Sequence, residues 1–481
     1  MPRRRVALEA VDAAAFTDGM AAIESELGLS PEFPSDVLAA AEAAAASPRL
    51  PELDRTDLPL VTIDPAGARD LDQALHIERR GPGYRVSYAI ADVAAFVAPG
   101  GPIDAEAHRR GETLYAPDHR IPLHPPVLSE GAASLLPDQV RPALLWTIDL
   151  DASGEARKVD VVRARVRSRA QYDYEGVQKQ IDGGAGVEAF TLLKEVGELR
   201  LRREAERGGV SLPAPEQEVV VADEGWTLTY RRQLPAEQWN AQISLLTGMG
   251  CAEIMLYGEV GIVRTLPPAP NASVARLRRT AEALGLEWRA EVLYPDFVRS
   301  IDPSSNAGAA MINACTSLLR GAGYAAFDGG VPEHIEHAGL ASEYAHTTAP
   351  LRRLVDRYSG EIAVALCADK PVPEWVRARL RGLPKEMEEA DRRAHQFEGA
   401  VLSLVEAGTL ATRVGETFRG VVTEVDARDP SAGSVVLRDP AVEARVSAPE
   451  GATLPLGRDV VVRLVKADPA TRVVRFELGT Q

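Results

Sequence analysis

The sequence predicts an α+β protein. It divides into a helical N-terminal arm, a large body in which a mixed sheet is surrounded by helices, and a small C-terminal β-barrel of the OB type. Three observations carry this. Residues 1–46 hold two stretches of helical character and no strand pattern. Two strand–turn–strand patterns between 60 and 170 give way, after about 185, to a long series of helical segments. From 413 onward, five short strand patterns fall within about 70 residues, the density of a small closed barrel.

Residues 1–30 place Ala, Ile and Leu on one side of a helix. A second helix, DVLAAAEAAAA at 36–46, follows Pro34 with Ser35 as its N-cap. The segment PRLPELDRTDLP at 48–59 carries three prolines and reads as a linker. LVTID at 60–64 is a short apolar strand, and ALHIERR and YRVSYAIADVAAFV flank Gly81-Pro82-Gly83 as a hairpin. LLWTIDLD and VDVVRARVRSRA, separated by Ala152-Ser153-Gly154, form a second hairpin. Helices are predicted at 187–207, 236–258, 273–285, 307–321, 350–368 and 385–411, with strand signals at 217–230. In the last helix Ala390, Ala394, Phe397, Val401 and Leu404 step by four and three, one apolar stripe. The closing strands are FRGVVTEVDA, GSVVLRD, VEARVSA, DVVVRLVKAD and RVVRFEL. The predicted units are therefore 1–55, 56–410 and 413–481.

The chain's 481 residues suit about three domains. With 45% apolar and 26% charged residues, fibrous and mostly disordered classes are excluded. No run of about 18 apolar residues predicts a membrane span, and Glu9 and Asp12 interrupt the start too early for a signal peptide. Cys251, Cys315 and Cys367 are too scattered for a disulfide framework or a CxxC zinc site, so a reducing cytoplasm is expected. A net charge of −16 argues against a basic coat for nucleic acid, but not against an internal groove lined by cations.

The sharpest local feature is VTIDPAGARDLDQ at 61–73. Asp64, Asp70 and Asp72 fall within nine residues at the end of a strand. In extended chain Asp70 and Asp72 share a face with Leu71 opposite. Like charges so close cost energy, and a divalent cation removes that cost. Hard oxygen ligands suit Mg²⁺ or Mn²⁺, with the Gln73 amide oxygen as a further ligand. The alternative is an acidic loop solvated at the surface. Downstream, RRGETLYAPDHRIPLHPP at 109–126 is a proline-stiffened loop of the kind that carries sites. Its Tyr115 is either a core residue or a stacking platform for a base. In YAHTTAPLRR, Pro350 suits the first position of a helix, which puts Arg352 and Arg353 in its first turn. Cations are disfavoured there, so both need an anionic partner, a phosphate or an acidic side chain. Arg163, Arg165, Arg167 and Arg169 alternate on one strand face, either tracking a phosphate backbone or simply solvated. His334 and His337 lack a third ligand nearby, and there is no G-x-S-x-G elbow and no P-loop.

Taken together, TIDPAGARDLDQAL, YAIADVAAFV, DAEAHRRGETLYAPDHRIPLHPPVLSEGAASLLP, YAHTTAPLRRLVDRY and RRAHQFE resemble the ribonuclease II/ribonuclease R family, exoribonucleases with an RNB catalytic domain. The resemblance spans roughly 56–410, with an RNA-binding OB-type barrel after it. It implies a hydrolytic 3′-to-5′ exoribonuclease that releases nucleoside 5′-monophosphates from single-stranded RNA. It further implies Mg²⁺ (or Mn²⁺); no membrane association is expected from the sequence, and no obligate protein partner is inferred. By motif position Asp64, Asp70 and Asp72 would hold metal and the scissile phosphate, Gln73 standing at a fourth ligand position. Asp72 is the aspartate tied most closely to catalysis, and Arg352 grips the phosphate with Arg353 beside it. Tyr115 would pack on the 3′-terminal nucleotide, Tyr174 would help hold the RNA end, and Glu398 would line the RNA path. Four departures stand out. Gln73 replaces an Asp, Ala241-Gln242 replaces a Glu-Glu pair, and Ala349 replaces a Ser before the proline, predicting a weaker N-cap. The fourth is at the N-terminus, where about 55 helical residues stand in place of paired cold-shock domains, predicting weaker binding of long RNA or different handling of structured RNA. The alternative function is an RNA-binding protein of the same fold with negligible catalysis.

Overall fold

In the computed structural model, which describes residues 13–184, 187–212, 216–222, 225–437 and 439–479, two closed five-stranded barrels organise the chain. The first runs Leu60–Asp64, Gln73–Arg80, Gly83–Ala91, Val140–Leu150, Ala156–Asp173. Both predicted hairpins are its walls, paired antiparallel. Gly83 is required at its turn: a Cβ there would sit 1.9 Å from the Leu150 carbonyl oxygen. Closure comes from the short strand Leu60–Asp64, which pairs antiparallel with Gln73–Arg80 and parallel with Ala156–Asp173, Asp64 lying opposite Asp173. The mixed sheet is thus a barrel, which leaves no unpaired edge.

Strand alternation sends successive residues to two cores. Leu144, Trp146 and Ile148 join Tyr88 and Ile77 in a cluster shared with the helices Glu188–Arg207, Pro235–Tyr257 and Leu354–Cys367. Ala143 and Leu145 instead join Leu60, Leu71, Ala74 and Ala89 beneath the helix Ser35–Ala46. The second barrel takes Thr417–Val425, Ala432–Leu437, Glu443–Ser447, Val473–Leu478 and Asp459–Asp468 in spatial order, all five predicted strands.

Residues 1–12 of the helical stretch expected over 1–30 lie outside the described residues; the other predicted helices appear within a few residues of their expected ends, with one informative exception. The helix expected from Pro350 begins at Leu354, so Arg352 and Arg353 precede it in a turn. The strands Val260–Thr265 and Gly323–Asp328 pair antiparallel, and no pattern announced them.

The N-terminal helix Ala13–Leu27 is not a free arm. Phe16, Met20 and Ile23 share one apolar cluster with Phe397, Val401 and Leu404 of the long helix Leu383–Leu410 and with Phe418, Val422 and Phe476 of the second barrel. The helices approach so closely that a Cβ on Gly408 would lie 2.5 Å from Phe16 Cζ. The arginine face of Ala156–Asp173 is not an open track either. The 48–59 linker pairs beside the same strand, the Arg165 N–H donating to the Leu53 carbonyl and the Arg55 N–H to the Arg165 carbonyl, both at 2.8 Å, and two of its arginines have acidic partners. Arg165 pairs with Asp54, and Arg163 with Asp92 and Glu361.

At the joint between long helix and second barrel, Glu406 is buried and accepts from Gln217 Nε2 and the Glu443 N–H, each at 3.0 Å. Burial pushes its carboxyl up to about 7. A carboxyl raised in the folded state binds more protons there than when unfolded, so its charge costs stability as pH climbs from about 4.5 to 7. Glu406→Gln keeps the acceptor oxygen and removes the charge. It is expected to add about 1–3 kcal/mol at pH 8 and little at pH 5, read as paired thermal melts. No helix among the described residues is long and apolar enough to cross a membrane. Cys251, Cys315 and Cys367 are free thiols.

Candidate active site

The strand Leu60–Asp64 delivers Asp64 to one end of the first barrel, and the loop after it turns at Gly67 (φ +83°). Leu71, fully buried, pins the returning segment. Its N–H donates to Ser134 Oγ at 2.9 Å, and the Ser134 hydroxyl donates to the Arg69 carbonyl at 2.6 Å. Asp70 and Asp72 flank that anchor.

The three carboxylates have different surroundings. Asp72 is 5% exposed; its Oδ1 accepts the Leu351 N–H at 2.8 Å, and its Oδ2 lies 3.7 Å from Arg352 Nε. Burial pushes its pKa well above the usual carboxylate range, against the pull of Arg352. Asp64 is raised to about 7, by burial first and by the Asp70 charge second. Its Oδ2 is buried with no hydrogen-bond partner. Each oxygen of Asp70 already accepts one hydrogen bond: Oδ1 from Arg120 Nη1 at 2.6 Å, and Oδ2 from the Tyr115 hydroxyl at 3.0 Å.

Tyr115 is 48% exposed and is not a core residue. It sits on a two-residue hairpin, Leu114–Tyr115 with Arg120–Ile121, in which Tyr115 faces Arg120. Leu114 and Ile121 are buried in the cluster that holds the N-terminal and long helices, so that core sets the hairpin's position. Tyr174 opens the helix Tyr174–Asp182, whose N-cap Asp173 is the register partner of Asp64. Its hydroxyl accepts from Asn240 Nδ2 at 3.2 Å, and burial and the Asp64 charge raise it to about 12.

The Pro350 turn separates two adjacent arginines. The Arg352 side chain is 44% exposed beside Asp72. The Arg353 side chain is 18% exposed and bidentate on Asp356, both contacts at 2.9 Å. Asp356 is thus the anionic partner that Arg353 has within the chain. Ala349 is not the helix N-cap, which is Arg353; Asp356 Oδ1 accepts the Ala349 N–H at 2.7 Å and holds the turn. The Gln73 amide is fully engaged, Nε2 donating to the Thr348 carbonyl and Oε1 accepting the Tyr88 hydroxyl, each at 2.7 Å. It ties the strand to the arginine turn instead of presenting a free ligand oxygen. Gln242 is buried on Glu204 at 2.7 Å, leaving Ala241 at the surface. Glu398 is exposed on the long helix; burial first, then the Asp391 and Glu398 charges, raise the Glu112 carboxyl to about 7. His337 packs edge-on to Tyr344 and joins no ligand cluster.

No group of three His, Cys, Asp or Glu side chains among the described residues is arranged to hold a metal ion by itself. The donor set still fits a cation that keeps waters and shares ligands with a substrate phosphate, as Mg²⁺ commonly does. The unpartnered oxygen of Asp64 is the observation that fits it. Sequence reasoning missed Arg120, Ser134 and Asn240. Arg120 was visible only as one charge in the 109–126 loop, and no sequence pattern marked its partner Asp70.

The chain matches the RNB domain family over residues 53–363 and the RNase II-type exonuclease C-terminal S1 domain over 416–479. It is 29% identical over 401 residues to ribonuclease R of Escherichia coli, covering 78% of this chain and 48% of that protein. The chain thus spans about half the length of that curated relative. Its fold matches Mycoplasma genitalium RNase R in complex with ribose methylated single-stranded RNA (TM-score 0.85, 17% identity, 97% of this chain and 78% of the other). It also matches yeast Ssd1, described as a pseudonuclease (TM-score 0.67, 18% identity, 91% and 55%).

Proposed function

This chain belongs to the RNB-domain family, and on that premise we propose that it is a metal-dependent hydrolytic 3′-to-5′ exoribonuclease that degrades single-stranded RNA to nucleoside 5′-monophosphates. The observation that carries this reading is the pairing of a buried Asp72 with a half-exposed Arg352, next to the unpartnered carboxylate oxygen of Asp64.

Asp64 and Asp72, with the remaining lone pairs of Asp70, would hold Mg²⁺ or Mn²⁺. When bound, that ion supplies Lewis acidity at a phosphoryl oxygen and an activated water. Arg352 neutralises charge growing on the phosphoryl oxygens. The Leu351 N–H fixes the Asp72 carboxylate, so the acid and the arginine are oriented by one turn. Tyr115 offers its ring to the 3′-terminal base, and stacking makes binding tolerant of sequence. The Tyr174 hydroxyl, oriented by Asn240, lies on the Asp64 side. Free thiols suit a reducing cytoplasm, and the reading needs no protein partner.

A 5′-labelled unstructured RNA incubated with the protein tests the proposal. The expected result is stepwise shortening from the 3′ end in Mg²⁺, and none in excess EDTA. A neutral Gln73 favours a second reading, an RNA-binding protein with negligible catalysis. RNA that shifts on a gel yet stays intact in both Mg²⁺ and Mn²⁺ would select it. Tyr115 gives a graded result: Tyr115→Ala should weaken RNA binding by about 1–3 kcal/mol, the worth of one base stack. Tyr115→Phe, which loses only the hydroxyl contact to Asp70, should bind nearly as the parent does in the same titration.

A further inference from the structure

Arg120 occupies an unusual position for a cation in a metal-dependent site. One guanidinium nitrogen lies 2.6 Å from Asp70 Oδ1, and another lies 2.9 Å from Glu130 Oε1. The side chain is largely shielded, as are both acids. Glu130 belongs to the short helix Leu128–Ala132, so the arginine is gripped from behind by a regular element. The other oxygen of Asp70 takes the Tyr115 hydroxyl. Both oxygens of Asp70 are thus occupied by donors, whereas Asp64 keeps an unpartnered oxygen and Asp72 an oxygen shared only with Arg352.

We propose that Arg120 is a built-in cation of this site, neutralising Asp70 so that the cluster takes a single divalent ion on the Asp64–Asp72 side. The inference rests on the metal-dependent reading above and deepens it. Charge balance supports it. Four carboxylates, those of Asp64, Asp70, Asp72 and Glu130, against Arg120 and Arg352 leave two net negative charges, since the Gln73 amide is neutral and engaged with Tyr88 and Thr348. One divalent ion balances that charge. A second would stand beside a guanidinium that already holds Asp70, and like charges at that range repel strongly. An arginine fork also differs from an ion in permanence: it cannot be chelated and does not exchange.

The test is Mn²⁺ binding to the intact protein without RNA, followed by calorimetry and by the loss of the free-ion paramagnetic resonance signal. Wild type is expected to bind one Mn²⁺ per chain. Arg120→Gln, which frees Asp70, should bind two, and Arg120→Lys, which keeps the charge, should bind one. Thermal melts of the three proteins verify that each is folded. Two ions in wild type, or one ion in Arg120→Gln, overturns the inference and leaves the exonuclease reading standing if RNA is still cleaved. If neither wild type nor Arg120→Gln binds Mn²⁺, the inference fails, and the metal-dependent reading is decided separately by RNA cleavage in Mg²⁺ against excess EDTA.

Discussion

Asp72→Asn is expected to reduce RNA cleavage by at least about 10³-fold while the protein stays folded and keeps its affinity for RNA. Asparagine has the shape of aspartate, and its Oδ1 can still accept the Leu351 N–H that Asp72 accepts at 2.8 Å. Its amide cannot carry the negative charge that faces Arg352. Stability should hold or rise, because burial already pushes the Asp72 carboxyl well above its usual range. Replacing that costly charge by a neutral group removes a desolvation penalty. Three measurements separate the effects: initial cleavage rate, RNA binding by filter retention, and a thermal melt. A variant that cleaves at more than a tenth of the parent rate would remove Asp72 from the chemistry. One that fails to fold would show that the Asp72–Leu351 contact is structural.

The neighbouring arginines should divide into two opposite phenotypes. Arg352→Gln is expected to lower kcat by about 10²–10³-fold, as loss of one donor to a developing oxyanion does, with little change in melting. Its side chain is half-exposed and holds Asp72 only at 3.7 Å, so the fold depends on it little. Arg353→Gln should do the reverse. It breaks a bidentate pair with Asp356, a residue buried to 1% exposure that also holds the Ala349 N–H. Removing one partner of such a pair typically costs about 3–5 kcal/mol. The melt should fall steeply, and the activity that survives at low temperature should approach the parent's. Equal activity losses with unchanged melts would show that both arginines serve the substrate.

That division was out of reach of the sequence, where Arg352 and Arg353 look alike. Both were expected in a first helical turn in need of anions, and the anion of Arg353 turned out to be Asp356, three residues on. Because Asp356 holds both Arg353 and the Ala349 N–H, the helix starts at Leu354 and the turn stays outside it. The same carboxylate makes the serine-to-alanine departure at 349 immaterial to capping. Gln73 is a similar case. Its composition marked a possible ligand, while its partners, Tyr88 and Thr348, come from other parts of the chain.

What the sequence determined by itself was everything carried by short-range pattern. Turn chemistry at Gly81-Pro82-Gly83 and Ala152-Ser153-Gly154 set two hairpins. The stripe Ala390 to Leu404 set the long helix, and strand spacing after 413 set the second barrel. The density of acids at 61–73 marked the site. Tertiary structure alone decided three other things. The parallel pairing of Leu60–Asp64 with Ala156–Asp173 closes the first barrel and sets Asp64 beside Tyr174. The packing of Phe16, Met20 and Ile23 against the long helix makes the N-terminal segment part of the core that seats the Tyr115 hairpin. The placement of Arg120 on Asp70, 50 positions away in the chain, sets the charge of the cluster. The physical reason is common to all three. Local propensity and alternation are properties of neighbouring residues, whereas burial, charge pairing and closure depend on which distant surfaces meet when the cores form.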